Sequence, residues 1–176
     1  MVNLILSPIR LINQLLFQIF AAIVKDNNKF LFWCMTHYQP YFHLDGYMNR
    51  VWIMPKFTLT LDENGYLHPK KWMPFSIRLH YIRRQDIGNC LHDHPANYRT
   101  IILSGYYWEL DIKGNFHKRL AGFTKRAKAT NYHRITNVSA GGVYTLFIMT
   151  KHYNKWGFLV DGKKVLAKDH FPTESN

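Results

Sequence analysis

From Arg50 onward the chain is a succession of short runs rich in Val, Ile, Thr, Tyr, Phe and Trp, each closed by a turn signal. That rhythm constrains the fold more than any other feature, because β-branched and aromatic residues suit a pleated, half-buried surface. Strands are expected within 50–61, 75–83, 98–103, 106–112, 116–120, 143–149 and 156–160. Asp62-Glu63-Asn64-Gly65, Lys113-Gly114-Asn115, Gly141-Gly142 and Asp161-Gly162 supply turns between them. In 75–83, Ile77, Leu79 and Tyr81 alternate with Arg78, His80 and Ile82, the period of a strand. Many short strands joined by tight turns predict an all-β chain, a small antiparallel β-barrel or jelly roll. The 176 residues suffice for one core, and 47% apolar residues exclude a disordered chain.

The first 49 residues read differently. Ser7-Pro8 is a cap followed by proline at a first helical position, and the pattern to Lys25 has helical period. Arg10, Asn13, Gln14 and Gln18 share one face; Leu11, Leu15, Ile19 and Ile23 share another, with Ile12, Leu16 and Phe20 beside them. An N-terminal amphipathic helix is expected over 8–25. It would pack on the barrel or on a second copy, or make peripheral contact with a membrane surface. Asn13, Gln14, Gln18 and Lys25 interrupt the apolar run, so no transmembrane span is expected, and no secretory leader is evident. Residues 26–49 read as irregular and aromatic-rich. The expected division is 1–49 for helix and extension, 50–170 for the barrel, and 171–176 for a frayed polar tail.

Lys and Arg outnumber Asp and Glu by 23 to 11, a net charge of +12. Lys113, Lys118, Arg119, Lys125, Arg126, Lys128 and Arg134 crowd one acid-free stretch. A solvated basic face and a docking site for nucleic acid both fit, but no nucleic-acid motif accompanies the charge. The two cysteines, Cys34 and Cys90, make neither a disulfide framework nor a CxxC pair. A reducing, cytoplasmic setting is expected. Cys90 stands two residues before His92 and reads as a small buried filler or as part of the same pocket.

The chemistry concentrates in Gly88-Asn-Cys-Leu-His92-Asp-His94-Pro-Ala-Asn-Tyr98. An H-x-H pair on extended backbone puts both imidazoles on one face, half of a metal site. His133, at the start of a further strand, is the expected third ligand. His80 and His117 lack partners at a useful spacing and read as surface or wall residues. His37, His43, His68, His152 and His170 carry no motif.

These residues resemble the two motifs of the cupin superfamily. His92 and His94 fit the first motif's pair. Tyr98 falls where its glutamate stands, and six residues separate it from Gly105. Gly122, Lys128, Thr130, His133 and Asn137 fall on the five places of the second motif. Lys128 and Thr130 replace its proline and glycine, which alters a turn. Tyr98 removes the carboxylate ligand, leaving a three-histidine face similar to that of thiol dioxygenases of the cysteine dioxygenase kind. The late Trp156-Gly157-Phe158, paired with H-D-H-P, is also similar to a group of uncharacterised bacterial and phage cupins.

The resemblance implies one divalent transition metal on His92, His94 and His133, iron(II) first, with zinc, manganese or nickel as alternatives. Tyr98 is the expected catalytic residue, hydrogen-bonding a reacting oxygen. Three neutral imidazoles leave the ion's charge uncompensated, so a small anionic substrate is expected. The expected activity is that of an iron-dependent dioxygenase. The alternative is a non-catalytic cupin module for binding or assembly, virion-associated if phage-encoded, and a homodimer is the default by analogy. Arg78, Tyr107, Glu109, Tyr144 and Phe147 are candidate pocket or wall residues, while Arg99 should point outward.

Overall fold

A computed structural model of the chain describes residues 2–41, 44 and 46–170, with residues 2–10 as backbone only. His43 and the polar tail after His170 lie outside the described residues. In chain order the elements are α1 (Val2–Val24), α2 (Asn28–His37), β1 (Gln39–Pro40), β2 (Met48–Trp52), β3 (Leu59–Leu61), β4 (Leu67–Pro69), β5 (Phe75–Ile82), β6 (Leu91–His92) and β7 (Tyr98–Ser104). There follow β8 (Tyr106–Asp111), β9 (Phe116–Leu120), β10 (Thr124–Ala127), β11 (His133–Val138), β12 (Val143–Thr150), β13 (Gly157–Val160), β14 (Lys163–Leu166) and α3 (Ala167–His170).

The strands form two six-stranded sheets, β1-β2-β5-β12-β7-β10 and β14-β13-β6-β11-β8-β9, plus the β3–β4 hairpin. The strand pairs are antiparallel. This is the expected all-β barrel class with an N-terminal helix, built as two facing sheets. Ile82, Ile102 and Val143 of the first sheet meet Tyr107 and Ile135 of the second in one core. Each such side chain contributes about 1.5–3 kcal/mol on burial.

The first sheet is covered on both faces. Leu79, Ile101, Leu103 and Tyr144 point away from the barrel interior, against Ala21 of α1 and Leu31 and Cys34 of α2. Tyr144, a candidate pocket or wall residue, belongs to the wall on the helix-facing side, where it stacks on Tyr81 at 4.6 Å. Arg99 points outward as expected, donating to Gln14 Oε1 of α1 at 2.8 Å.

Two expectations are corrected. The first helix begins upstream of Ser7-Pro8, at Val2, because the apolar periodicity continues through Leu4, Ile5 and Leu6. The second is residues 26–49, which are not irregular throughout. Asn27 caps α2 by accepting from Phe30 N, and the helix buries Leu31 and Cys34. The stretch 50–61 holds strand as expected, in two pieces, since Pro55 precedes a 3₁₀ turn over Lys56–Thr58 between β2 and β3.

Gly105 and Gly142 hold the β7–β8 and β11–β12 corners together. Gly105 has φ +76°, and a Cβ there would lie 2.4 Å from the Gly142 carbonyl oxygen. Only glycine satisfies both demands.

Candidate metal centre

The H-D-H segment crosses the space between the sheets. His92 ends β6 and pairs with His133 at the start of β11, and with Phe158 on β13. His94 lies just beyond the strand, fixed by its N–H to the Ala129 carbonyl at 3.0 Å. Their side chains converge with that of His133, so that ligand nitrogens of all three lie within 4.8 Å of one another. Nε2 of His94 and Nε2 of His133 are 2.8 Å apart. That is close enough for one ion with ordinary metal–nitrogen distances of about 2.1 Å to touch both. The three residues singled out by spacing are thus brought together, and this group could hold a metal ion. Cys90 is half-buried and outside the cluster.

Burial keeps His92 and His94 in the ligand form. His92 is pushed down to about 4, first by desolvation and then by His133. His94 is held well below the ordinary histidine range by desolvation, His133 and His92.

Two carboxylates face the nitrogens turned away from the cluster. Glu109 Oε1 lies 3.0 Å from His133 Nδ1, which is buried without a hydrogen-bond partner of good angle. Asp86 Oδ2 lies 3.4 Å from His92 Nδ1. Burial alone would raise the Glu109 carboxyl, but His133 and Lys125 overcome it and hold the group well below the usual carboxylate range. Arg119 Nε and Lys125 Nζ both donate to Glu109 at 2.7 Å. Asp86 in turn accepts from Ile135 N at 2.8 Å and from the Tyr47 hydroxyl. Carboxylates placed in this way orient metal-binding imidazoles and raise their basicity. The sequence marks Glu109 as a candidate pocket or wall residue, as found, and carries no signal for Asp86.

Those two contacts also revise the basic stretch. Arg119 and Lys125 turn inward onto Glu109, and Arg134 donates to the Gly88 carbonyl and to Asn89. The cations of 113–134 therefore do not form one continuous face, because neighbouring strands absorb part of them.

Tyr98 enters the interior from β7. Its hydroxyl is 3.4 Å from His133 Nε2, and its ring lies 4.3 Å from His94 and 4.8 Å from Phe147. Desolvation holds its hydroxyl proton well above the ordinary tyrosine range, so it stays a neutral donor. A cavity of about 310 Å³ opens beside it, lined by Tyr98, Glu109, His117, Lys125 and His133 among others.

Arg78 and His80 lie on the interior face of β5. Arg78 donates to Met149 Sδ at 2.9 Å, and its guanidinium lies 5.1 Å from the Tyr41 ring and 5.7 Å from that of Phe147. Its Nε has no partner, and among the described residues no carboxylate forms an ion pair with it. Burial lowers it to about 10, so it remains a cation at neutral pH. His80 Nε2 is likewise buried without a partner, and its ring stacks on Phe147 at 5.1 Å. His80 is thus an interior residue, whereas His117 sits toward the surface on Asp111 at 2.9 Å.

Asp93, between the two histidines, points the other way. It accepts from Gly157 N at 2.8 Å, Asn154 Nδ2 at 2.9 Å and Lys164 Nζ at 2.5 Å, and its own N–H donates to the Gly157 carbonyl. The H-D-H-P and W-G-F motifs are therefore two halves of one joint.

No known family's sequence profile matches this chain, and no curated protein does. Among solved structures it is similar to a cupin 2 conserved barrel domain protein from Rhodopseudomonas palustris, at 11% identity and a TM-score of 0.48. That match covers 70% of this chain and 77% of the other. It is similar to ectoine synthase from P. lautus at 11% identity and a TM-score of 0.44, over 64% of this chain and 70% of the other. A chain from the crystal structures of the DMSP lyases RdDddP and RnDddQII matches at 12% identity and a TM-score of 0.41. There 59% of this chain spans 47% of the other, about half its length.

Proposed function

We propose that this chain is a metal-binding cupin-type protein that works as an iron-dependent, dioxygenase-like enzyme on a small anionic substrate. The observation that carries the reading is the convergence of His92, His94 and His133, two of them faced from behind by carboxylates, half-buried Asp86 and buried Glu109. A three-imidazole face suits iron(II) and leaves positions for further ligands. Iron bound there supplies a redox-active Lewis acid for the activation of dioxygen.

The chain's own residues supply the rest. Arg78, a buried cation with no carboxylate partner among the described residues, offers a charge for an anionic substrate group. Tyr98 offers a hydroxyl proton to a reacting oxygen from beside His133. Phe147 and Met149 pack with Tyr98 in one buried apolar cluster. The two free cysteines, Cys34 and Cys90, suit a cytoplasmic setting.

The test is elemental analysis after anaerobic reconstitution with iron, beside a His92→Ala/His94→Ala variant, followed by oxygen uptake with a panel of small thiols and carboxylates. About one equivalent of iron, lost in the folded variant, and uptake that Arg78→Gln weakens through KM would support the reading. No stoichiometric metal with iron, zinc, manganese or nickel would overturn it. It would leave the second reading, a non-catalytic binding module that works through its surface, which rests on the outward face of α1.

A further inference from the structure

Helix α1 sits on the barrel by its weaker face. Residues on one side of it touch the first sheet: Gln14 accepts from Arg99, Phe17 lies 4.4 Å under the same guanidinium, and Ala21 is fully buried. The chain leaving the helix is pinned as well, with Asp26 N donating to the Leu103 carbonyl at 2.7 Å. The helix is therefore held at a set rotation. The opposite side carries the larger apolar residues. Leu11, Ile12, Leu15, Leu16, Ile19 and Ile23 are between 49% and 76% exposed. At 3.6 residues per turn they span an arc of about 140°, wider than a single packing seam needs. At the next corner Phe32 and Trp33 of α2 are also exposed. An exposed apolar arc of this width on a helix marks an interaction site.

Charge selects the occupant. No acid occurs before Asp26, and exposed Lys25 and Lys29 border the apolar surface. The whole chain carries +12, so a second copy laid on this face would bring two strongly positive molecules together. A negatively charged surface attracts the same molecule. Among the described residues no helix is long and apolar enough to cross a membrane, so contact would run along a surface. We propose that the outward face of α1, with the α2 corner, is a docking surface for an anionic lipid membrane. The apolar arc enters the boundary between headgroups and acyl chains, while Lys25 and Lys29 meet the headgroups. The inference stands on the helix and the charge alone, and is independent of the metal reading.

The test is flotation of the full chain with phosphatidylcholine vesicles and with vesicles containing about one third phosphatidylserine. The Leu15→Asp/Ile19→Asp variant is run beside it, with circular dichroism to show an intact fold. Both side chains are half-exposed, so the fold should tolerate the change. Expected are binding to the anionic vesicles, at least tenfold weaker binding to phosphatidylcholine alone, weakening with salt, and loss in the variant. Any of three results would overturn the proposal. These are no binding to anionic vesicles, equal binding to both vesicle types, and binding that the variant retains. Light scattering that finds a dimer which the variant dissolves, without vesicle binding, would assign the face to a second copy.

Discussion

Asp86 and Glu109 act on the cluster through the ring nitrogens that face away from it, so their effect should appear in affinity before it appears in fold. Asp86→Asn and Glu109→Gln are each expected to weaken metal binding by about 10–100-fold, measured by competition with a chromophoric chelator. Glu109 should matter more, because it stands 3.0 Å from His133 where Asp86 stands 3.4 Å from His92. Unchanged affinity in both variants would remove them from the site. Tyr98→Phe separates a different role. The ring packs on His94 and Phe147 and should stay, while the hydroxyl near His133 is lost. The expected result is a full equivalent of metal with oxygen uptake lowered at least tenfold. Metal loss in this variant would instead make Tyr98 part of the binding shell.

At the scale of elements, the site depends on a joint between β6 and the β13–β14 hairpin. Asp93 is 1% exposed and gathers donors from Gly157, Asn154 and Lys164. Asp93→Ala strands those donors, and a loss of about 3 kcal/mol is expected in denaturant unfolding, with weaker metal binding because His92 and His94 share the segment. The importance of Asp93 was invisible in sequence, although the motifs it joins were not. The strands were legible because alternation and turn residues mark a pleated surface, and β7, β8, β9 and β12 fall almost where those signals put them. Helix α2 was not legible. Phe30, Phe32, Trp33 and Thr36 are poor helix formers, and its stability comes from the Asn27 cap and from Leu31 and Cys34 packing on the sheet. The three clustered histidines were legible by spacing. Glu109 reaches His133 only through the β8–β11 register, and Asp86 only through a loop, and neither distance is written locally. Arg78 and His80 were ambiguous for a further reason. Both faces of β5 are covered, so its polar face turns out to be the interior one.

At the scale of the whole molecule, folding places basic groups where they resist protonation, and this fixes how stability depends on acidity. His92 falls from an ordinary 6.5 to about 4, mainly through desolvation and then through His133. His80 is pushed well below its ordinary range by desolvation and by Arg78. A base with a depressed pKa in the folded state stabilises the fold fully above its unfolded value. Between 6.5 and about 4 the unfolded chain takes up a proton that the folded chain refuses, so stability falls as the solution is acidified through that window. By pH 5, His92 alone should cost the metal-free protein about 2 kcal/mol, or roughly 4–8 °C in the unfolding midpoint for a chain of this size. The measurement is calorimetry of chelator-treated protein at pH 7, 6 and 5. A midpoint that stays level would mean that His92 charges freely in the folded chain, against the desolvation that lowers it. The same scan on metal-loaded protein should keep its midpoint to lower pH, because an ion on the imidazoles competes with protons for the same nitrogens. That difference between the two scans ties the histidine cluster to the stability of the whole barrel without requiring any knowledge of the substrate.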